Sequence, residues 1–505
     1  MKILYKSKWF LFLLPLYMLS GCADDLNEEF FGNLSPENYY QTEEEALSSV
    51  VGVYQRMSDV TNYGNSYRLL ENGTDEFIIA GRTNGGWYDG GRHLEFTNHN
   101  VTPSNNVNNG AWQTVFGVIG AANAVIQSIE ESPQAGNLTA PIAEVRALRA
   151  YAYFYAMDFW GNVPIVTAAK IDQSNLPMTN TRSEIFEFVE SEMLIAVGDL
   201  PSVTEVNRSN YYPRLTKEAI YAALATLYLN AEVYTGTEHW NQANEMSNKV
   251  ISSGAYILES NFIDNFTGDN DQSQELISSF SIDPAQNAGG NTYLRGALHP
   301  LHKLVYNLPF VPANGYNTFK EALDRYDVND IRRQYILHGP QTYLNGDPLL
   351  YPDGSQLELI PIQDPTASED NEGFRVLKYI PNGQWVGRNA DNDIVLIRYA
   401  DILLIKAEAL FRTGNSIEAL NLVNSVRERS EVEPLDVLTL QDIEDERSRE
   451  LIWEGHRRRD MIRFGTYFTG TWKFHTTETP EFRGLYPIPD QQITANPNLS
   501  QNSGY

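Results

Sequence analysis

Apolar residues recur at spacings of three and four along several stretches of this chain, and each such stretch predicts an amphipathic helix. The first opens at Thr42, where the threonine can cap the helix and Glu45 completes a capping box. Ala46, Val50, Val53 and Tyr54 then share one face. The period returns at Val115, Ile119, Ala122 and Ile126, and again at Leu148, Tyr151, Tyr155 and Phe159, with Gly161 as the stop. Further helices are predicted over 216–234, 240–252, 399–412, 416–430 and 442–464. Two stretches break the pattern. Residues 72–111 lose the period and hold Gly81, Gly85, Gly86, Gly90, Gly91 and the run Asn105-Asn106-Val107-Asn108-Asn109, which predicts a long surface loop. Residues 260–390 are rich in Pro, Gly and Asn with short apolar runs, and predict an irregular insert with little regular structure.

The later helices come in pairs. Ala407, Leu410, Gly414, Ala419, Val423 and Val426 put small residues where two helices cross, a glycine at the turn and apolar residues at the packing offsets. That is the pattern of a tetratricopeptide repeat, and Ala222, Leu224, Ala225, Leu229 and Ala243 form a looser copy. The expected fold class is therefore mostly α.

The amino terminus changes the picture of where this body sits. Lys2, Lys6 and Lys8 precede an apolar run from Trp9 to Leu19, too short to span a bilayer comfortably, and small residues lead to Cys22, the single cysteine among 505 residues. Leu19-Ser20-Gly21-Cys22 resembles a bacterial lipobox, which makes residues 1–21 a signal peptide, Cys22 the lipidated mature terminus and 22–40 a polar tether. Acyl chains of this kind hold a protein at a membrane surface. With one cysteine, stability must come from core burial. The formal charge of −28, from 65 acidic against 37 basic residues, argues against nucleic acid, whose binding leaves a basic footprint. Aromatic residues reach 12%, more than a helical core requires, so some are expected at the surface.

Several ordered motifs carry a resemblance. Arg146-Ala147-Leu148-Arg149-Ala150-Tyr151 leads to Asp158-Phe159-Trp160-Gly161-Asn162-Val163-Pro164. Arg398-Tyr399-Ala400-Asp401 is followed by Ala407-Glu408-Ala409, and Leu422-Val423-Asn424 by Arg427-Glu428-Arg429. Then come Glu446-Arg447-Ser448-Arg449-Glu450-Leu451, Glu454-Gly455-His456-Arg457, Leu485-Tyr486-Pro487-Ile488-Pro489 and Asn496-Pro497-Asn498-Leu499. Together they resemble the SusD/RagB family of outer-membrane lipoproteins along nearly the whole chain. The resemblance implies a right-handed superhelix of four tetratricopeptide-like helix pairs with a loop-rich face, divided as 41–259 and 260–505. It further implies surface exposure, glycan as ligand, and a SusC-like TonB-dependent transporter as partner. Arg146, Arg149, Arg398, Glu450, Glu454 and Arg457 sit in helical signatures, where ion pairs locking one helix against the next are expected, and His456 reads as a core histidine.

No enzyme motif stands against this reading. The chain has no Gly-x-Ser-x-Gly elbow, no His-Glu-x-x-His and no phosphate-cradling glycine loop, and no cofactor is implied. Asp391-Asn392-Asp393 and Asp269-Asn270-Asp271 lack the glycine and later glutamate of a calcium loop and read as solvated turns. A sugar ring packs its C–H face on an aromatic ring and needs polar partners for its hydroxyls. Trp87, Tyr88 and Asp89 supply both within one glycine-flanked turn, and Asp75 lies on the same loop, so these four are the candidate glycan ligands; Arg82, Tyr316 and Trp385 are secondary candidates. A neutral glycan such as a glucan or fructan suits an acidic protein. A surface endo-glycosidase using a carboxylate pair and a peptide-binding lipoprotein of the RagB kind are the alternatives.

Overall fold

A computed structural model describes residues 40–282 and 290–505; Cys22 and the rest of the leader lie outside them. Helix α1 (Glu43–Thr61) begins as its sequence dictates, since the Thr42 side chain accepts from the Glu45 backbone while the Glu45 carboxylate takes the Thr42 amide, and Ala46, Val50 and Val53 are buried. A short α2 (Asn65–Glu71) follows, then α3 (Asn106–Glu130), α4 (Thr139–Trp160), α5 (Arg182–Asp199), α6 (Lys217–Leu229) and α7 (Trp240–Ser252). The carboxy-terminal set is α8 (Tyr399–Arg412), α9 (Ser416–Arg429), α10 (Leu440–Glu450) and α11 (Arg457–Phe464). Each of α3 to α9 packs on its neighbour in sequence, α10 returns onto α8, and α1 lies across α3 and α4. Helix accounts for 49% of the structure and strand for 9%, which makes it mostly α as expected. Among the described residues no helix is long and apolar enough to cross a membrane.

Four expectations change. Helix α5 has no counterpart in the prediction, although Thr181 and Glu184 build a second capping box at its start. The expected helix over 442–464 is broken between α10 and α11, where Trp453 and Gly455 adopt positive φ values of 59° and 82°. The break lets the Trp453 indole donate to the Glu76 carbonyl at 2.8 Å and the Gly455 amide to Glu71, a burial that outweighs helical continuity. The asparagine run is not loop: Asn105 caps α3 through the amides of Val107 and Asn108, and Asn108 is buried against the Trp160 indole at 2.8 Å. The Asp-Asn-Asp segments are not solvated turns either. Asn270 bonds the Asp393 backbone in both directions, and Asp393 accepts from Tyr212 at 2.7 Å and from the Ile282 amide, so both segments brace buried backbone.

The irregular region is built of short helices and two-stranded ladders, yet it has an apolar core of its own. Tyr63, Tyr67, Phe77, Tyr293, Tyr316, Tyr326, Tyr379 and Trp453 lie in it. This is where much of the aromatic content goes. Few ladders are present to pair the backbone, and a buried polar backbone group must find a partner; tyrosine fills volume with its ring and donates from its tip. Tyr67 donates to the Trp453 carbonyl, Tyr293 to Val376 and Tyr326 to Arg449.

Buried charge ties the irregular region to the carboxy-terminal helices. Arg398, at the end of the strand Ile394–Arg398, reaches Glu275 at 2.8 Å, Glu454 at 2.8 Å and Glu450, while Arg332 reaches Glu446 and Glu450 at 2.8 and 2.7 Å and Arg429 also meets Glu450. Arg149 and Arg146 both grip Glu192 between α4 and α5. The motif arginines and glutamates therefore lock helices as expected, and His456 is buried.

Candidate functional site

The turn that carries Trp87 is rooted before it is exposed. Residues 72–80, expected at the surface, are buried, and strand β1 (Ile78–Ile79) pairs antiparallel with β2 (Tyr316–Asn317). Asp75 is held by the Arg457 guanidinium at 2.7 Å and by Arg325. Burial alone would raise its carboxyl, but those two arginines bring it far below the usual range. Its oxygens are taken by Arg457 on α11 and by Arg325, so they are committed within the fold. Arg82 is likewise buried: it donates to the Asn314 carbonyl at 2.8 Å, Glu369 at 2.7 Å, Glu372 at 3.0 Å and the Asn317 side chain at 2.9 Å, and desolvation lowers it to about 10. Tyr316 is buried too, with its hydroxyl on the Tyr63 carbonyl. These three secondary or primary candidates were expected at the surface because a sequence displays polar atoms but not the partners that fold onto them.

Beyond Arg82 the chain turns outward. The Arg82 amide donates to the Gly86 carbonyl at 2.7 Å and the Gly85 amide returns to Arg82 at 2.8 Å. Trp87 and Asp89 then take φ values of 60° and 47°, followed by Gly90 at 71° and Gly91 at 83°. A left-handed conformation costs a non-glycine residue about 1–2 kcal/mol, and such strain persists where surrounding structure imposes it. Here it holds Tyr88 outward beside a Trp87 that stays packed on the core. The Trp87 indole N–H donates to the Ala313 carbonyl at 2.6 Å, its ring lies 5.8 Å from Tyr316 and 5.7 Å from the Arg68 guanidinium, and a Cβ at Gly315 would overlap it. One side of the indole is thus packed and the residue is half-buried, while Tyr88 is 45% exposed. Asp89, 40% exposed, accepts from Arg92 at 2.8 Å and contacts the His93 ring at 3.3 Å. Slight burial pushes its carboxyl up, but the Arg92 hydrogen bond and charge leave it below the usual value. His93 is pulled down to about 4 by burial, with the charges of Arg68 and Arg92 adding to it, and is neutral at pH 7.

The structure therefore brings together Trp87, Tyr88 and Asp89 with Arg68, Arg92 and His93, and leaves Trp385 elsewhere, on a hairpin with its ring against Phe310 at 5.5 Å. Arg92 and His93 follow the glycines directly and could have been read with them. Arg68 sits on α2, and no local pattern marks a stacking that only the folded chain creates. What remains is an amphipathic platform: the exposed Tyr88 ring, the half-buried Trp87 indole, a carboxylate and a guanidinium. Among the described residues no group of three or more His, Cys, Asp or Glu is placed to hold a metal ion.

Comparison with known proteins gives the same outline. The family model described as "SusD family" matches residues 256–505, and one described as "Starch-binding associating with outer membrane" matches 36–229. The starch-binding protein SusD of Bacteroides thetaiotaomicron is 31% identical over 415 residues, 72% of each chain. The SusD-like protein P38 of Formosa agariphila is 26% identical over 98% of both chains. Among solved structures, a laminarin-binding SusD-like protein superposes with a TM-score of 0.75 at 24% identity, covering 92% of this chain and all of its own. A surface glycan-binding protein A from Bacteroides thetaiotaomicron in complex with laminarihexaose gives 0.76 at 22%, covering 91% and 99%. Motif order, helical architecture and these matches agree, and the chain belongs to the SusD family.

Proposed function

We propose that this protein is a non-catalytic cell-surface receptor that binds an oligo- or polysaccharide on the Trp87–Tyr88–Asp89 turn and passes it to a SusC-like TonB-dependent transporter of the outer membrane. The observation that carries the reading is an exposed Tyr88 and a half-buried Trp87 set beside a carboxylate on a strained, firmly rooted turn, the combination a sugar ring needs. Trp385, on a separate hairpin, is a secondary platform. Starch and laminarin, which the relatives are named for binding, are both uncharged glucans, and a body of net charge −28 repels polyanions at low salt. The ligand is therefore a neutral glucan or fructan. Native affinity electrophoresis tests this: laminarin, glycogen or levan should retard the protein, and alginate should not. Stronger retardation by alginate than by every neutral polymer would refute the preference, and free passage through all of them would refute glycan binding.

Anchoring belongs to the same proposal. Cys22 carries the lipid and holds the body at the outer face of the membrane, so Cys22→Ser should abolish incorporation of labelled palmitate and shift the protein to the soluble fraction. Equal labelling of both forms would rule the anchor out.

A further inference from the structure

Two cavities lie on the outer side of α1. One, of about 950 Å³, is walled by Leu47, Val51, Tyr54, Pro213, Arg214 and Phe280; the other, of about 340 Å³, is lined by Asn65, Gly110, Gln113, Thr114 and Gly117. Both include Arg56 and Asp59, so they are two widenings of one groove. Its near end meets the candidate site: Arg68, whose guanidinium lies on the Trp87 ring, donates to the Asn65 side chain at 3.4 Å. From Leu47 to Asp59 the wall runs about 18 Å at the helical rise.

Two further features distinguish this groove from a packing defect. Four of its polar side chains are uncommitted, beside others such as Tyr54 and Arg214 that are paired with Glu144. The side chains of Gln55, Arg56, Asp59 and Gln113 make no hydrogen bond or ion pair among the described residues, although burial already holds the Asp59 carboxyl above its usual value against the Arg56 charge. Its floor is also deliberately low. A Cβ on Gly52 in α1 or Gly117 in α3 would meet nothing within 4 Å, and glycine inside a helix weakens it relative to alanine. No packing contact requires either glycine. Both volumes fall within or near the roughly 300–1,000 Å³ of small-molecule clefts. Free amides and charges offer partners for hydroxyls, and the Val51, Tyr54 and Pro213 wall suits C–H faces.

The geometry points to an extended subsite: the groove takes the continuation of a glycan chain whose first rings rest on the Trp87–Tyr88 platform. This rests on the glycan-binding reading above and adds that the protein selects long chains over short ones.

Calorimetry with maltotriose, laminaritriose and levan trisaccharide, each against its octasaccharide, tests it on the wild type, Gly117→Arg and Gly52→Arg. For whichever series binds, the octasaccharide should bind the wild type about tenfold or more tightly than the trisaccharide. The arginine variants, which fill open space, should lose that gain, keep trisaccharide affinity and melt no earlier. An octasaccharide advantage that survives in both variants, or that is missing from the wild type, overturns the extended subsite while leaving the platform intact. Failure of every sugar to bind the wild type removes the glycan reading itself and the subsite with it. Variants that keep the length advantage but no longer co-purify with an outer-membrane transporter would assign the groove to protein docking instead.

Discussion

Glu450→Ala should remove a large share of the protein's net stability. The Glu450 carboxylate faces three guanidiniums, those of Arg332, Arg398 and Arg429, and all four side chains are buried. Breaking a buried pair by deleting one partner costs about 3–5 kcal/mol, because the remaining charge stays out of water; here three are left short of a counter-ion. Against a typical total of about 5–15 kcal/mol this is a large share. Urea unfolding followed by tyrosine and tryptophan fluorescence would measure it, and a loss below about 1 kcal/mol would show that neighbouring carboxylates re-pair the arginines. The same network sets an acid limit. Burial favours the protonated form of Glu454, but Arg398 and Lys378 outweigh it and bring the group to about 2. Glu450 is also depressed, by Arg429, Arg398 and Arg332 against its burial. A carboxyl lowered in the folded state stabilises above its unfolded pKa of about 4.3 and loses that contribution as pH falls towards its folded value. The wild type should therefore weaken steeply from about pH 4 downward, and Glu450→Ala with a shallower slope.

Trp87→Ala should erase measurable retardation in a glycan gel. An aromatic anchor at the centre of a binding site is worth about 2 kcal/mol or more, roughly thirtyfold, and sugar affinities leave little margin. Considered as sequence alone, a glycine-flanked loop residue should contribute little to stability, so the variant would melt like the wild type. The structure changes that expectation. Trp87 covers Gly315, packs on Tyr316 and satisfies the Ala313 carbonyl, so its loss should also lower stability by about 1–3 kcal/mol. Tyr88→Ala separates the two effects. Tyr88 is exposed, and its removal should weaken binding at unchanged melting temperature. Asp89→Ala should weaken binding by roughly 1–3 kcal/mol if its carboxylate receives sugar hydroxyls. Normal binding by both Tyr88→Ala and Asp89→Ala would move the platform to Trp385.

Most of the helical frame was legible because its signals are local. The capping box at Thr42 and Glu45, the stop at Gly161, and the ranges of α7 and α8 follow from spacing and caps that act within one or two turns. The break between α10 and α11 was not, because it depends on Glu71 and Glu76 nearly 400 residues earlier, which draw Trp453 and Gly455 out of the helix. The site divides in the same way. Glycines around Trp87, Tyr88 and Asp89 announced an outward turn, but Asp75 stood beside them as a candidate, with Arg82 and Tyr316 as secondary ones, and only the fold shows Arg457, the Asn314 carbonyl and the Tyr63 carbonyl closing on them.

By itself, then, the sequence determined the mostly helical class, the family motifs and the aromatic turn, since periodicity, capping and glycine placement are short-range properties of the chain. Only the tertiary structure decided which charged and aromatic side chains remain free to meet a ligand. Burial and ion pairing depend on partners hundreds of residues away, and a desolvated group must satisfy itself internally wherever such a partner lies.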